Sequence, residues 1–309
     1  MIRNILTTIA IAATIAACGA KTESVSKTFS LSGDDFTGKK FYLGWGAAGS
    51  GDPQMMHNEV KYDVLHTHDI FTKNVGGNYT GIKDTGSSVS ASSVRARWAE
   101  LKSQMTAADM YVQYSSGHGS PSGLGIGLSY SQIRDNALSY PAKEIIIFTM
   151  ACNSGGLVNS FNSVRSQWQD WGSRGRALLV MSSSTVNENS STGPGRDPDE
   201  VNGPEGSAGS AFGHSLWKAL IGYADGYIDG VKDGYITLEE IVEFTKWKTQ
   251  EVGGHSPQVT GVYNANVIMN RVPPRSFLDA LEHSTEGMTD AEVATQVAAL
   301  DEAMRVAND

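Results

Sequence analysis

Mainly apolar runs are the feature that most constrains how this chain folds. The strongest, at 144–151, reads EIIIFTMA, and similar runs read ALLVMS at 177–182 and DMYVQYSS at 109–116. Such runs are typical of strands buried on both faces, as in parallel sheets covered by helices. Shorter runs at 39–46 and 79–83 predict two more strands. Segments with apolar residues at helical spacing alternate with these runs, at 57–72, 92–105, 157–171, 208–223 and 238–252. The alternation predicts an α/β fold around a mainly parallel central sheet.

Composition excludes several other classes of protein. The 309 residues are 40% hydrophobic and include six Trp and eleven Tyr, which is enough for a large buried core and excludes a disordered chain. The 34 Gly follow no triplet period, so the chain is not collagen-like. A net charge of −9 lacks the basic footprint of a nucleic-acid-binding protein. Two cysteines are too few for a disulfide framework or for a thiolate zinc site.

The first cysteine ends an export signal. Arg3 precedes an apolar run at 5–17, which is too short to span a bilayer comfortably. The run ends in Ala16-Ala17-Cys18 and resembles the bacterial lipobox, in which the cysteine becomes the acylated N-terminus after cleavage. We therefore predict a signal peptide at 1–17, a lipidated N-terminus and flexible tether at 18–38, and anchoring in the bacterial cell envelope through a lipid on Cys18. The alternative is an ordinary secretory signal, with Cys18 incidental.

His118 and Cys152 each follow the end of a predicted strand. In parallel sheets, ligands bind outside the carboxyl ends of the strands, so both residues are placed at a binding edge. Amides at the start of the next helix favour the thiolate of Cys152, and a nearby imidazole can accept its proton. Gly117 and Gly119 flank the histidine, and the Gly119 amide can donate to an oxyanion. For Cys152 considered alone, the alternative is a structural thiol. For His118 considered alone, it is a histidine in a surface turn.

These residues resemble the caspase–hemoglobinase clan (clan CD) of cysteine peptidases. In that clan one apolar strand ends in His-Gly and a second ends in Ala-Cys or Ser-Cys, as at 118–119 and 151–152 here. The legumain family is the most similar, because A-C-x-S-G occurs at 151–155. Three other segments are similar to legumain segments: DVLH at 63–66, MSSSTVNENSS at 181–191 and GSAFGHSLW at 209–217. The resemblance covers residues 40–270, approximately.

The resemblance implies a three-layer α/β/α caspase-like fold with a mainly parallel central sheet. It implies a thiol protease in which Cys152 is the nucleophile and His118 the general base. The amides of Gly119 and Cys152 then form the oxyanion hole. Peptide or protein substrates are implied, with no cofactor. The clan works with a Cys-His dyad, so no orienting Asp is named.

The resemblance also implies a substrate pocket, lined by Glu59, Ser183, Ser184, Gly209 and Ala211. Legumains carry an arginine four residues before the helix aspartate, where it helps to bind a P1 asparagine. Glu59 occupies that position here. A carboxylate disfavours a P1 aspartate, leaves a P1 asparagine unsupported and is compatible with a basic P1 residue. The P1 preference therefore stays open.

One further segment is similar to an EF-hand calcium loop. In the segment 229–240, Asp229, Asp233 and Glu240 occupy ligand positions 1, 5 and 12. Position 3 is Val231, which offers no side-chain ligand. Thr237 and Glu240 also form a capping-box pattern, so a turn that starts the next helix explains the segment equally. We predict no metal, and calcium remains a weak alternative.

The peptidase domain is predicted at 39–272, followed by an acidic, Ala-rich helical tail at 273–309 that either caps the domain or is loosely attached. The Ser/Asn/Gly/Pro-rich segment 183–207 is predicted to be a surface loop, either a specificity loop or a site of self-processing. The sequence leads to a cell-envelope cysteine endopeptidase with a thioacyl-enzyme intermediate. The alternatives are a catalytically idle, membrane-tethered binding module and a transpeptidase variant.

Overall fold

A seven-stranded sheet forms the centre of the molecule. A computed structural model describes residues 25–28, 36–73, 79–194 and 205–272. The strand order is β1 (Val25–Thr28), β11 (Gln258–Asn264), β9 (Ala177–Ser182), β8 (Glu144–Met150), β4 (Met110–Gly117), β2 (Lys40–Ala47) and β3 (Tyr79–Thr85). All neighbouring pairs are parallel except β9 with β11. The predicted mainly parallel sheet is confirmed.

Helices cover both faces of this sheet. They are α1 (Gln54–Lys73), α2 (Ala91–Lys102), α3 (Tyr130–Leu138), α4 (Gly155–Asn162), α5 (Ala211–Lys218) and α6 (Leu238–Gly253). One buried cluster contains apolar residues of α1, α5 and α6, and the second contains those of α2, α3 and α4. Alternate β4 residues enter opposite clusters, Val112 the first and Tyr111 the second. The fold therefore has the three layers, α/β/α, that the legumain resemblance implies.

Two small sheets complete the fold. Strands β5 (Gly119–Ser120), β6 (Gly123–Leu124) and β7 (Leu128–Ser129) form an antiparallel meander directly after β4. Strands β10 (Tyr235–Thr237) and β12 (Ile268–Arg271) pair antiparallel. No helix in the described ranges is both long and apolar enough to cross a bilayer. The predicted signal peptide and Cys18 lie outside those ranges.

Two predicted helices are shorter than their sequence patterns. The apolar pattern at 157–171 predicts one continuous helix. In the structure, α4 ends at Asn162 and two 3-10 turns follow. The buried Trp168 indole donates to the Phe161 carbonyl at 3.0 Å, which satisfies one of the carbonyls that a helix end leaves open. The pattern at 208–223 starts late, because Ser210 is the N-cap of α5. It ends in a π-helical turn at Gly222, whose φ of 119° is a left-handed conformation.

Several elements were not expected, among them β1, β11 and α3. The strand β1 lies inside the predicted tether at 18–38, and its backbone pairs with β11. The strand β11 lies between β1 and β9, so that β1 is the edge strand. The helix α3 begins with a capping box in which Ser129 and Gln132 bond each other's backbone amides. That S-x-x-Q pattern is the sequence signal that predicts α3.

Glu144, at the start of β8, makes stability depend on pH. The residue is 4% exposed, its Oε2 has no hydrogen-bond partner among the described residues, and burial raises its pKa to about 7. The folded protein holds this proton up to about pH 7, whereas an unfolded chain loses it near 4.5, so stability falls as the pH rises through that window. We compare the free energy of unfolding of a Glu144→Gln variant with that of the wild type, measured with urea. We expect the difference to shift in favour of the variant by about 2 kcal/mol between pH 4 and pH 8.5.

The matched control is Glu100→Gln, because the Glu100 side chain is 46% exposed and lies on the surface of α2. Its stability difference from the wild type should stay within about 0.5 kcal/mol at both pH values. If Glu144→Gln also showed no pH-dependent difference, Glu144 would titrate as an exposed carboxylate and the burial argument would be wrong.

Candidate active site

Strands β4 and β8 bring His118 and Cys152 to one edge of the sheet. The two strands are parallel, and Ser116 of β4 is paired with Met150 of β8. His118 and Cys152 each lie two residues beyond that pair, at the carboxyl ends of neighbouring strands. Gly119 lies directly against the second strand end, since a Cβ built on it would be 2.4 Å from the Cys152 carbonyl oxygen. The two predicted catalytic segments are therefore in contact.

The turn after Cys152 is sharp and strongly held. Asn153 has a φ of 58°, the one left-handed conformation of a non-glycine residue in the described ranges. Its backbone amide donates to the Glu188 carbonyl at 2.8 Å, and its side-chain amide donates to the Val186 carbonyl at 3.1 Å. The helix α4 starts two residues later, so the thiol lies at the N-terminal side of that helix. The turn thus presents a partly exposed thiol at the edge of the sheet.

Buried serines hold the residues on either side of the thiol. The Ala151 carbonyl accepts hydrogen bonds from the hydroxyls of Ser183, Ser184 and Ser190 at 2.9–3.2 Å. The Ser154 hydroxyl bonds those of Ser183 and Ser184 at 3.0 and 3.2 Å. Ser183 and Ser184 were predicted to line a substrate pocket. Their side chains are fully buried and contact the nucleophile turn.

The thiol itself contacts the loop that follows β9. The Cys152 Sγ donates to the Ser190 carbonyl oxygen at 3.8 Å, a weak hydrogen bond. Thr192 in the same loop forms an isolated antiparallel bridge with Ser210. Ser190 therefore lies beside the thiol, and the residues that follow it lead to Ser210.

Asp52 is a site residue that the sequence reasoning missed. Its Oδ2 lies 2.7 Å from the His118 Nε2, and it also accepts the Gly49 amide at 2.5 Å. The contact with His118 is the main cause that lowers the pKa of this carboxyl group. Asp52 follows β2, the neighbour of β4, and carboxyl ends of adjacent parallel strands share an edge. The strand order, applied to the loop after β2, is the signal that predicts it.

For the peptidase activity that the sequence predicts, we expect Asp52→Asn to lower kcat by about 10- to 100-fold with KM little changed, because the ring of His118 loses the charged acceptor that orients it. The measurement is steady-state hydrolysis of a fluorogenic peptide. Asp135→Asn is the control, since Asp135 is exposed and lies on α3. A loss expressed in KM alone would place Asp52 in substrate binding and contradict an orienting role.

An acidic pair, Glu59 and Asp63, contacts the residues Gly193 and Ser210. Glu59 is 2% exposed and accepts the Gly193 amide at 3.2 Å. Burial, reinforced by the neighbouring Asp63, raises the pKa of Glu59 to about 7. Asp63 accepts the backbone amide and the hydroxyl of Ser210, both at 2.8 Å, and the hydroxyl of Ser116 at 2.6 Å. Burial raises the pKa of Asp63 to about 6.

The remaining predicted pocket residues pack around Asp63 and its neighbours. A Cβ built on Gly209, whose φ is 78°, would be 2.4 Å from the Asp63 Oδ1. Ala211 is fully buried at the start of α5. Asp63 thus connects α1, β4 and the loop before α5 through named contacts. The structure brings Glu59 and Gly209 together at this carboxylate, at the base of the loop that contacts the thiol.

Tyr130, the first residue of α3, is a second residue that the sequence reasoning missed. It is 1% exposed, and its hydroxyl lies 3.3 Å from the Cβ position of Gly119. Burial is the main cause that raises its pKa, and the nearby Cys152 adds to it. The phenol thus packs beneath the two strand ends.

The calcium-like segment uses its carboxylates for turns. Asp229 and Asp233 each accept the backbone amide two residues ahead, and the Glu240 Oε2 caps α6 through Thr237. The other Glu240 oxygen accepts the Gly226 amide at 2.8 Å. Within the described residues, no group of three His, Cys, Asp or Glu side chains is arranged to hold a metal ion.

Comparison with known proteins establishes the fold. No protein-family model matches the chain, and no curated protein matches its sequence. Caspase-1 from Spodoptera frugiperda matches with a TM-score of 0.51 and 12% identity, over 76% of this chain and 91% of that chain. The chain has a caspase-like fold. A protein from Geobacter sulfurreducens matches with a TM-score of 0.48 and 12% identity, over 76% of this chain and 98% of that chain.

Proposed function

We propose that this protein is a legumain-like cysteine endopeptidase of the bacterial cell envelope. The observation that carries the proposal is the parallel register of β4 and β8, which places His118-Gly119 beside Ala151-Cys152 at the carboxyl edge of a caspase-like sheet. Acyl transfer requires a nucleophile, a general base and a donor to the oxyanion. This edge of the sheet offers a thiol, an imidazole and a glycine backbone amide for these three roles. The proposal includes a lipid on Cys18 that tethers the domain to the membrane.

The thiol of Cys152 attacks the carbonyl carbon of the scissile peptide bond, and its proton passes to His118. Since the His118 Nε2 contacts Asp52, the other ring nitrogen, Nδ1, is the one assigned to this proton transfer. The thiol leaves its weak bond to the Ser190 carbonyl when it attacks. The backbone amides of Gly119 and Cys152 stabilise the oxyanion that forms on the substrate.

The tetrahedral intermediate then collapses to a thioester. His118 returns its proton to the departing amine, so that the first product leaves as a neutral amine. Water, activated by His118, hydrolyses the thioester on Cys152 and releases the second product as a carboxylic acid. Asp52 acts throughout as a positioning residue that orients the His118 ring and compensates its transient positive charge.

Peptide cleavage by the wild type and a Cys152→Ala variant tests this proposal. We expect the full chain to cleave members of a positional-scanning fluorogenic peptide library, and the Cys152→Ala variant to lose at least about 10³-fold in kcat/KM. The control is Asn159→Ala, which removes an exposed side chain of α4. The library also reports the P1 residue, which tests whether Glu59 selects a basic side chain. Equal cleavage by the wild type and Cys152→Ala would exclude the mechanism.

A further inference from the structure

An exposed apolar surface has no part in any role described so far. Within the part of the chain that the structure describes, every large hydrophobic residue that is exposed belongs to one segment of 25 residues. We define the aromatic patch as these five residues, which are 40–58% exposed: Tyr223, Tyr227, Ile228, Val231 and Trp247. Exposed apolar residues that cluster in this way mark a surface that another element covers.

The aromatic rings of the patch pack against one another. The rings of Tyr227 and Trp247 stack with centroids 5.7 Å apart, and Phe244 of α6 supports both rings, edge-on, at 5.4 and 5.5 Å. The patch thus combines one face of α6 with the turn that follows the π-helical segment. Such stacked rings present a preformed apolar contact face.

The described chain ends beside this surface. The Val272 amide donates to the Gly234 carbonyl at 2.9 Å, and a Cβ built on Gly222 would be 2.8 Å from the Val272 Cγ1. Gly222 immediately precedes Tyr223 of the aromatic patch. Residues 273–309 therefore begin at the edge of the patch, and no long connection is needed for them to reach it.

The sequence of this tail carries a matching apolar stripe. Thr289 and Glu292 form a capping-box pattern, which predicts a helix from 290 onwards. Apolar residues follow at i, i+4, i+7 and i+11, on one face of such a helix: Val293, Val297, Leu300 and Met304. The 16 residues at 273–288 can span about 50 Å when extended, more than the connection requires.

Charged residues border both the tail stripe and the aromatic patch. The tail at 273–309 contains eight Asp or Glu and two Arg. Asp290 and Asp301 border the apolar stripe on one side of the helical projection. On the aromatic patch, the Lys218 ammonium lies 5.2 Å from the Tyr223 ring and the Lys248 ammonium lies 5.5 Å from the Trp247 ring. The Lys248 ammonium also pairs with Glu251 at 2.8 Å and Lys218 is 8% exposed, so apolar contact and the chain connection, rather than charge, favour the pairing.

We propose that the segment 289–306 of the same chain docks on the aromatic patch as an amphipathic helix. Its apolar stripe covers Tyr227 and Trp247 and caps the α1, α5 and α6 side of the domain. The proposal does not rest on peptidase activity, because no residue of the patch touches the candidate active site.

Amide hydrogen exchange of the full chain, read by mass spectrometry, tests this docking. We expect peptides from 289–306 to exchange at least 10-fold more slowly than an unstructured chain. A Leu300→Asp variant should lose this protection, and Trp247→Ser should lose it as well. The control is Thr295→Asp, which adds the same charge on the opposite face of the predicted helix and should keep the protection. The domain peptides report folding in each variant.

Two results would overturn the proposal. In the first, 289–306 exchanges at the unstructured rate in the wild type, or Thr295→Asp removes protection as effectively as Leu300→Asp. In the second, a photo-crosslinking amino acid at Tyr227 joins two chains, or protection rises with protein concentration, either of which assigns the patch to a second copy. A crosslink from that position to 289–306 within one chain supports docking.

Discussion

A His118→Ala variant is expected to lose about 10³-fold in kcat/KM for peptide cleavage, with the fold intact. Two contributions are removed together, the acceptance of the Cys152 proton and the protonation of the leaving amine, and general acid–base catalysis is worth about 10²- to 10⁴-fold. The His118 side chain is 48% exposed, so its truncation leaves no buried cavity. The measurement is kcat/KM on the best peptide of the library.

His68→Ala is the matched control for the loss of an imidazole. His68 lies on α1 beside Asp69, and neither residue contacts His118, Asp52 or Cys152 in the structure. Its activity should stay within about threefold of the wild type. If His118→Ala retained full activity, proton transfer would be assigned to the wrong residue.

Gly119→Ala is expected to lower kcat/KM by at least about 10²-fold, because the new methyl group has no space. Its Cβ would be 2.4 Å from the Cys152 carbonyl oxygen and 2.7 Å from the Ala151 Cβ, both far inside ordinary contact distance. The two strand ends must then separate, which displaces the amides proposed for the oxyanion hole. Overpacking of this kind costs about 1–3 kcal/mol of stability, so the variant should still fold.

Gly51→Ala separates this steric effect from the loss of a glycine. Gly51 lies in the loop that carries Asp52, and no atom lies within 4 Å of its Cβ position. Activity in that variant should stay close to that of the wild type. Full activity in Gly119→Ala would show that the β4 and β8 ends tolerate separation, and the oxyanion assignment would then be wrong.

The sheet was predictable from sequence because its strands are buried on both faces. The run at 144–151 and the run at 177–182 match β8 and β9 within one residue, since continuous burial leaves no polar alternation to confuse the pattern. The edge strand β1 was not predictable in this way. Its four residues are polar except Val25, and its place in the sheet depends on pairing with β11.

The sequence predicts those residues of the candidate site whose position follows from their own strand. His118 and Cys152 each end an apolar strand, so the sequence alone assigns them to one edge. Asp52 depends on the strand order, because β2 must lie next to β4 before its loop reaches the histidine. The contact of Glu59 with Gly193 joins residues 134 positions apart, and local patterns do not contain such a pairing.

Covalent capture of the nucleophile tests the central claim most directly. A peptidyl acyloxymethyl ketone, carrying the P1 residue found in the library, alkylates a thiol that a histidine activates. We expect a single adduct on the full chain, located by peptide mapping at Cys152, and no adduct in Cys152→Ala. We also expect labelling to be at least about 10²-fold slower in His118→Ala. Labelling of Cys152 at the same rate in His118→Ala, or peptide turnover in a fully labelled protein, would contradict a Cys-His mechanism.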